Sequence, residues 1–303
     1  MSKDIIEKNF DVSAPARLII KNVRGSVKIQ PGDAQTIKIK VTKHLNTGNP
    51  EDTEIILQQN EDGVVVAGAQ FEIYGFSRIN RQPCKVDFEI EVPASCSVRT
   101  KTVSAKSEIS GLHGDFKFKS VSGSLRLEDL SGDLSATTVS GILVADKISG
   151  PAQLKTVSGG LKLTNSNCQS IEADTVSGSI LAVTPIGDGP YRFKSVSGKV
   201  RLIVPKESAC SIHASSLSGR FKTDLPVSNS SGGRRSWDVD IAGGGTPISM
   251  TSVSGSLFIL SSLDAAPISP QVKRKTREER LAVLSKLEQG ELSIEDTLKE
   301  LSL

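Results

Sequence analysis

Aromatic side chains make up only 4% of this 303-residue chain, with one Trp and two Tyr, and Met occurs just twice. A thick globular core draws on such large side chains. The interior must instead be built from Val, Ile and Leu, which suits thin β layers. Long apolar runs are also missing. No stretch approaches the roughly 18 residues of a membrane-spanning helix, and the charged opening, Met1 to Phe10, lacks the apolar centre of a secretory signal. The expected location is cytoplasmic, with non-classical export to the surface left open. Cysteine is sparse: Cys84, Cys96, Cys168 and Cys210 are scattered with no C-x-x-C pair. That argues against a disulfide framework or a zinc site and for ordinary thiols in a reducing compartment. His44, His113 and His213 lie far apart without metal-ligand spacing, so neither a metal nor an organic cofactor is expected. Finally, 37 basic against 34 acidic residues leave a formal charge of +3, too mild to imply nucleic acid as a partner.

What is abundant is a repeat. Val-Ser-Gly, or Leu-Ser-Gly once, ends at Gly123, Gly141, Gly159, Gly178, Gly198, Gly219 and Gly255, in steps of 18, 18, 19, 20, 21 and 36 residues. Ser-Gly copies at Gly132 and Gly150 halve the first two steps. A fixed period of this kind marks a stacked-repeat architecture. Positions two before, two after and four after the Gly are apolar, as in Val121, Leu125 and Leu127, Val157, Leu161 and Leu163, or Val196, Val200 and Leu202. On a continuous strand these share a face with the Gly, while Ser122, Ser124 and Arg126 point out. A hairpin turn at Ser-Gly would instead set Val121 against Ser124 across the pair. The expectation is therefore a mainly β protein, a parallel β-solenoid with about 18 to 21 residues per coil. Its corners are placed at the polar pairs Glu128-Asp129, Thr137-Thr138 and Asp146-Lys147. At about 4.8 Å per coil, eight coils make a rod of roughly 40 Å.

Four regions follow. Residues 1–100 carry alternating strands and either cap or begin the solenoid, since Asn22 to Ile29 resembles a degenerate coil. Residues 101–262 form the repeat domain, in which the glycine-rich stretch from Ser228 to Gly245 is expected to protrude as a hairpin. Residues 263–275 read as a linker, and 276–303 as a helical hairpin: Thr276 with Glu279 makes a capping box, and Gly290 ends the first helix. Its apolar stripe, Leu281, Leu284, Leu287 and Leu298, is the candidate association surface, because so small a unit needs a partner or a second copy.

The strands suggest a second site. Lys119, Lys155 and Lys194 stand four before the Gly, and Arg126, Lys162, Arg201 and Lys222 three after it. Stacking would align them into outward stripes able to attract an anionic polymer or glycan. Soluble side chains are also what outward strand positions require, and Val144, Leu181 and Phe258 interrupt the second stripe. The Ser and Thr columns, Ser122 to Ser254 with Thr138, Thr156 and Thr175, read as hydroxyls bonding along the stack. Catalysis would need clustered carboxylates. Asp129, Asp146 and Asp174 fall near corners without forming an acidic column.

Several segments resemble a bacterial "putative adhesin" family of unknown function: Val86 to Pro93 followed by Thr102-Val103-Ser104 and Ile109 to Asp115, the repeated Thr-Val-Ser-Gly units, and Gly243 to Gly255. Ala105 departs from the pattern, standing where Gly is expected. Glu278 to Leu298 resembles the SHOCT-like helical hairpin. Some Gram-positive envelope-stress proteins are similar in joining these modules, though in the opposite order. The reading is a non-catalytic binding or scaffold protein whose tail mediates self- or partner association, and the resemblance implies a link to cell-envelope stress. The alternatives are a surface adhesin that binds carbohydrate or anionic polymer, and a β-helix carbohydrate-active enzyme.

Overall fold

The computed structural model describes residues 2–71 and 82–262. These hold 23 strands hydrogen-bonded into one continuous sheet, wound as a parallel β-solenoid. The expected linker and helical hairpin, with Leu281, Leu284, Leu287 and Leu298, lie outside the described residues.

Each coil contributes one strand to each of two ladders. Ladder A stacks the first half of Cys96–His113 on Phe116–Ser120, Leu134–Thr138, Ala152–Thr156, Ile171–Thr175 and Tyr191–Ser195, all parallel and in register. Ladder B stacks the second half of Cys96–His113 on Leu125–Ser131, Leu143–Ser149, Leu161–Thr164, Ile180–Val183 and Val200–Pro205. The core lies between them. Alternate residues of these stacked strands are buried, and inward columns mix sizes: Phe118, Ala136, Leu154, Ala173 and Phe193 in ladder A, Leu127, Ala145, Leu163, Ala182 and Leu202 in ladder B. Bulky layers thus alternate with thin ones, which fills a narrow interior without many aromatics.

The Val-Ser-Gly unit is a corner, which corrects the expectation of a continuous strand through the Gly. Ser120 is buried, Val121 and Ser122 are both exposed, and Gly123 is buried again. Side-chain parity therefore slips at the motif, and Val121, Val157 and Val196 point to solvent. At the corners that follow Ser120 and Thr138 local hydrogen bonding holds the bend. The buried Thr138 hydroxyl accepts from Gly141 N–H and donates to Gly141 C=O, both at 3.0 Å, folding the chain into a tight turn. Thr138 thus bonds within its own corner and not to the next coil. The Thr137-Thr138 corner accordingly moves two residues on, to Val139-Ser140. Backbone bonds carry the stack around the bend, as in Ser140 N–H to Val121 C=O at 2.8 Å and Ser158 N–H to Val139 C=O at 2.7 Å. Glycine is needed because the coils touch there: a Cβ on Gly141 would lie 1.9 Å from the Gly123 carbonyl oxygen. The second corner falls where expected, with Asp129 and Lys147 at φ 53°.

Stack order departs from chain order at the C-terminal end. Thr246–Ser252 inserts between Tyr191–Ser195 and Cys210–Ser216, and Leu257–Ser262 between Val200–Pro205 and Phe221–Thr223. The stretch from Ser228 to Gly245 does not protrude from the sheet. It forms the expected hairpin: Ser236–Ile241 pairs antiparallel with Cys210–Ser216, and Val227–Gly232 pairs antiparallel with Ser236–Ile241, continuing ladder A because Cys210–Ser216 otherwise offers an open hydrogen-bonding edge. At the other end Ala16–Pro31 forms a coil beside Cys96–His113. Val64–Phe71 with Thr53–Gln59 extends ladder A beyond it, and Lys85–Val92 with Thr36–His44 and Lys3–Asp11 extends ladder B.

All four cysteines are buried. Burial pushes the Cys96 and Cys168 thiols up to about 12, and burial with the Asp240 charge pushes Cys210 to about 11. The folded protein should therefore resist iodoacetamide at pH 8 and expose all four thiols only on denaturation. Mass spectrometry of the labelled chain checks this; rapid labelling of a folded sample contradicts it.

Candidate binding surface

Outward residues of ladder A form two columns. Counted along the stack, one reads Lys21, Lys101, Lys119, Thr137, Lys155, Asp174 and Lys194. The neighbouring column reads Arg99, Lys117, Ser135, Gln153, Glu172 and Arg192. Alternation places both on the solvent side, since Val98, Thr100 and Phe118 between them are buried.

Charge divides these columns into two regions. In the middle Lys155 lies 3.2 Å from Glu172 and 3.3 Å from Asp174. The bond to Glu172, with Asp174 assisting, raises the lysine's pKa against the cost of desolvation, and bonds from Gln153 and Lys155 hold Glu172 below the ordinary carboxylate range. Lys155 is thus neutralised in place. Towards the N-terminal end Lys21, Arg99, Lys101, Lys117 and Lys119 are all exposed, and none has an ion pair or side-chain hydrogen bond among the described residues. Neighbouring rows are about 4.8 Å apart and alternate residues on a strand about 7 Å, so five cations share a small area. A cleft of about 570 Å³ beside them is lined by Arg99, Lys117, Gln153, Arg192 and three acids, Asp115, Asp133 and Glu172.

The seven stripe residues chosen from sequence do not form one surface. Lys119, Lys155 and Lys194 lie on ladder A, with Thr137 and Asp174 between them. Arg126, Lys162, Arg201 and Lys222 lie on ladder B, separated by Val144, Leu181 and Phe258. Arg201 sits over the Phe258 ring at 5.7 Å. Phe258 falls between Arg201 and Lys222, because the last coil in sequence is not the last in the stack. Counting from the Gly passed over Lys101, whose coil has Ala105 at that position, and Arg99 and Lys117, which stand six before the corner residue.

The residues weighed for chemistry hold structure. Asp146 accepts from Thr164 at 2.6 Å and Asn165 at 2.9 Å, and Asp129 is exposed at its corner. His44 contacts Asp87 at 2.7 Å. Burial would raise the Asp87 carboxyl, but bonds from Ser26, His44 and Lys85 outweigh it and hold the group below its ordinary value. His213 contacts Asp238 at 2.6 Å, both more than half exposed, and His113 is exposed. Among the described residues no three His, Cys, Asp or Glu side chains gather as a metal site, and no helix is long and apolar enough to cross a membrane.

Comparison with known proteins gives one family match: the Toastrack DUF4097 profile matches residues 16–259. No curated protein sequence matches. Among solved structures, a "putative adhesin" from Bacteroides fragilis is 13% identical over 86% of this chain and 98% of its own, with a TM-score of 0.46. A "putative lipid binding protein" from Parabacteroides distasonis is 13% identical over 86% and 97%, with a TM-score of 0.42. A "putative cell adhesion protein" from Clostridium sporogenes is 11% identical over 86% and 100%, with a TM-score of 0.29.

Proposed function

This chain belongs to the Toastrack DUF4097 family, and from that premise we propose a non-catalytic binding protein that holds a linear anionic polymer on ladder A. The observation carrying this reading is the cluster of Lys21, Arg99, Lys101, Lys117 and Lys119, exposed and without carboxylate partners among the described residues. Five like charges on rigid adjacent strands repel one another, and a polyanion relieves that repulsion while its repeating charges meet a repeating surface. The site reads charge and spacing; no bond is made or broken. Asp129, Asp146 and Asp174 form no acidic column; Thr164 and Asn165 engage Asp146, and Lys155 engages one oxygen of Asp174.

The test is binding of inorganic polyphosphate to the full chain. Reversing Lys101→Glu with Lys119→Glu should weaken it at least roughly 25-fold, at about 1 kcal/mol or more per cation near an anionic surface. The matched pair Lys162→Glu with Lys222→Glu on ladder B should leave it unchanged. Loss in the second pair and not the first would move the site to ladder B and sink the proposal.

The proposal also includes a cytoplasmic location and an association role for residues 276–303 through Leu281, Leu284, Leu287 and Leu298. Their resemblance to the SHOCT-like module supports that role and, further, a link to cell-envelope stress. Deleting residues 271–303 should lower the mass measured by light scattering without unfolding the solenoid; unchanged mass counts against the association role.

A further inference from the structure

The corner that turns Val121 outward does so in eight successive coils. Backbone bonds order the corners as Val103, Val121, Val139, Val157, Val176, Val196, Val253 and Leu217. All eight side chains are exposed, from 40% at Val139 to 57% at Leu217. Seven steps of about 4.8 Å make a straight apolar ridge about 34 Å long. Half-exposed side chains in that number give a contiguous strip of about 500 Å², the size at which apolar patches mark interaction sites. Solubility alone would place polar residues there, as it does at Ser122, Ser140 and Ser158 in the adjoining column.

We infer that this ridge is the interface of a two-fold homodimer in which the ridges of two copies run antiparallel. A second copy offers a strip of the same length and the same row spacing, so each valine finds a valine except Val103, which meets Leu217. Two strips of this size with their flanking serines bury about 1,000 Å² in total, the lower bound for a specific interface. Facing a copy of itself is also what a two-fold axis requires of a surface patch.

Charge selects the direction. Beside the ridge on ladder A the rows carry, in stack order, Lys101, Lys119, Thr137, Lys155, Asp174, Lys194, Thr251 and Ser215. The ladder B flank carries Lys106, Ser124, Ile142, Gly160, Ser179, Lys199, Ser256 and Arg220, each three residues after the ridge residue. A two-fold axis across the ridge reverses the row order and sets like flank against like flank. Each Lys155 then meets an Asp174 of the second copy, Lys119 meets Thr251, and Thr137 meets Lys194. The single like-charge encounter, Lys106 with Arg220, falls at the ends, where Lys106 already has Glu108 at 2.6 Å. An axis along the ridge keeps the row order and sets unlike flanks together. It brings Lys101 against Lys106 and Lys194 against Lys199, with no opposite-charge pair in return.

Crosslinking of the full chain tests both the interface and its direction. Val121 and Val253 occupy the second and seventh rows, so the antiparallel dimer brings Val121 of one copy to Val253 of the other and keeps identical positions about five rows apart. Co-expressed Val121→Cys and Val253→Cys chains should form the mixed disulfide dimer, while either variant alone forms several-fold less. The four native thiols are buried and do not compete. Adding Val157→Arg and Val176→Arg to both chains should abolish the crosslink with an unchanged melting temperature, whether or not residues 271–303 are present. Crosslinking of each variant with itself would overturn the antiparallel arrangement. Absence of any crosslink, or its survival of the arginine substitutions, would overturn the interface. The crosslink and polyphosphate binding are separate readouts, so failure of the interface and failure of the polymer site can be told apart even though Lys101 and Lys119 border both.

Discussion

Gly159→Ala should destabilise the solenoid by at least about 3 kcal/mol, while Gly160→Ala, one residue later, should stabilise it by about 0.4–1 kcal/mol. The two glycines differ in what faces them. A Cβ on Gly159 would lie 2.0 Å from the Gly141 carbonyl oxygen, and nothing lies within 4 Å of one on Gly160. The obstacle at Gly159 is backbone of the neighbouring coil, itself held in the stack, so the two coils must separate and lose the corner bonds around them. At Gly160 the backbone is outside the left-handed region, and the gain comes from restricting the unfolded chain. Urea midpoints of the two variants against the parent check this. Equal midpoints would mean that the coils do not approach at the motif.

The second large effect separates two identical motifs. Thr138→Val should cost about 2 kcal/mol, because Gly141 N–H and C=O both lose their bonds to the threonine hydroxyl inside the core. Thr156→Val should be neutral or stabilise by about 1 kcal/mol. The Thr156 hydroxyl is buried without a hydrogen-bond partner, so a methyl group in its place removes a desolvated polar atom. Both threonines stand in Thr-Val-Ser-Gly, and sequence does not tell them apart. Chemical denaturation of each variant decides; equal losses would mean that both corners are held by the hydroxyl.

Much of the architecture could be read from the chain because a solenoid repeats its instructions. The period, the two strands per coil and the inward columns Leu125 and Leu127 or Leu161 and Leu163 follow from apolar positions at constant distance from a Gly. The same counting misplaced Val121 and its equivalents. Parity holds only along an unbroken strand, and Val shares parity with the Gly by coincidence across a bend. The signal was present in the Ser or Thr three residues before each Gly, whose side chain can close a turn. The threading of the last coil between its predecessors was not legible, since Thr246–Ser252 and Cys210–Ser216 offer similar edges and only packing chooses. The basic columns were partly legible. Reading from the Gly found Lys119 but not Lys101, whose corner carries Ala105, and nothing in the spacing revealed that Lys155 is neutralised by Glu172 and Asp174 while its neighbours up the stack are not.

The most direct measurement is the salt dependence of polyphosphate binding by the unmodified full chain. If five unpaired cations hold the polymer, counterion release gives log K against log salt a slope of about −4, from roughly 0.7–0.9 per contact. Reversing Lys101 and Lys119 should flatten it by about two such contacts. A slope near zero, or no binding at low salt, would contradict the assignment of ladder A as a polyanion-binding face.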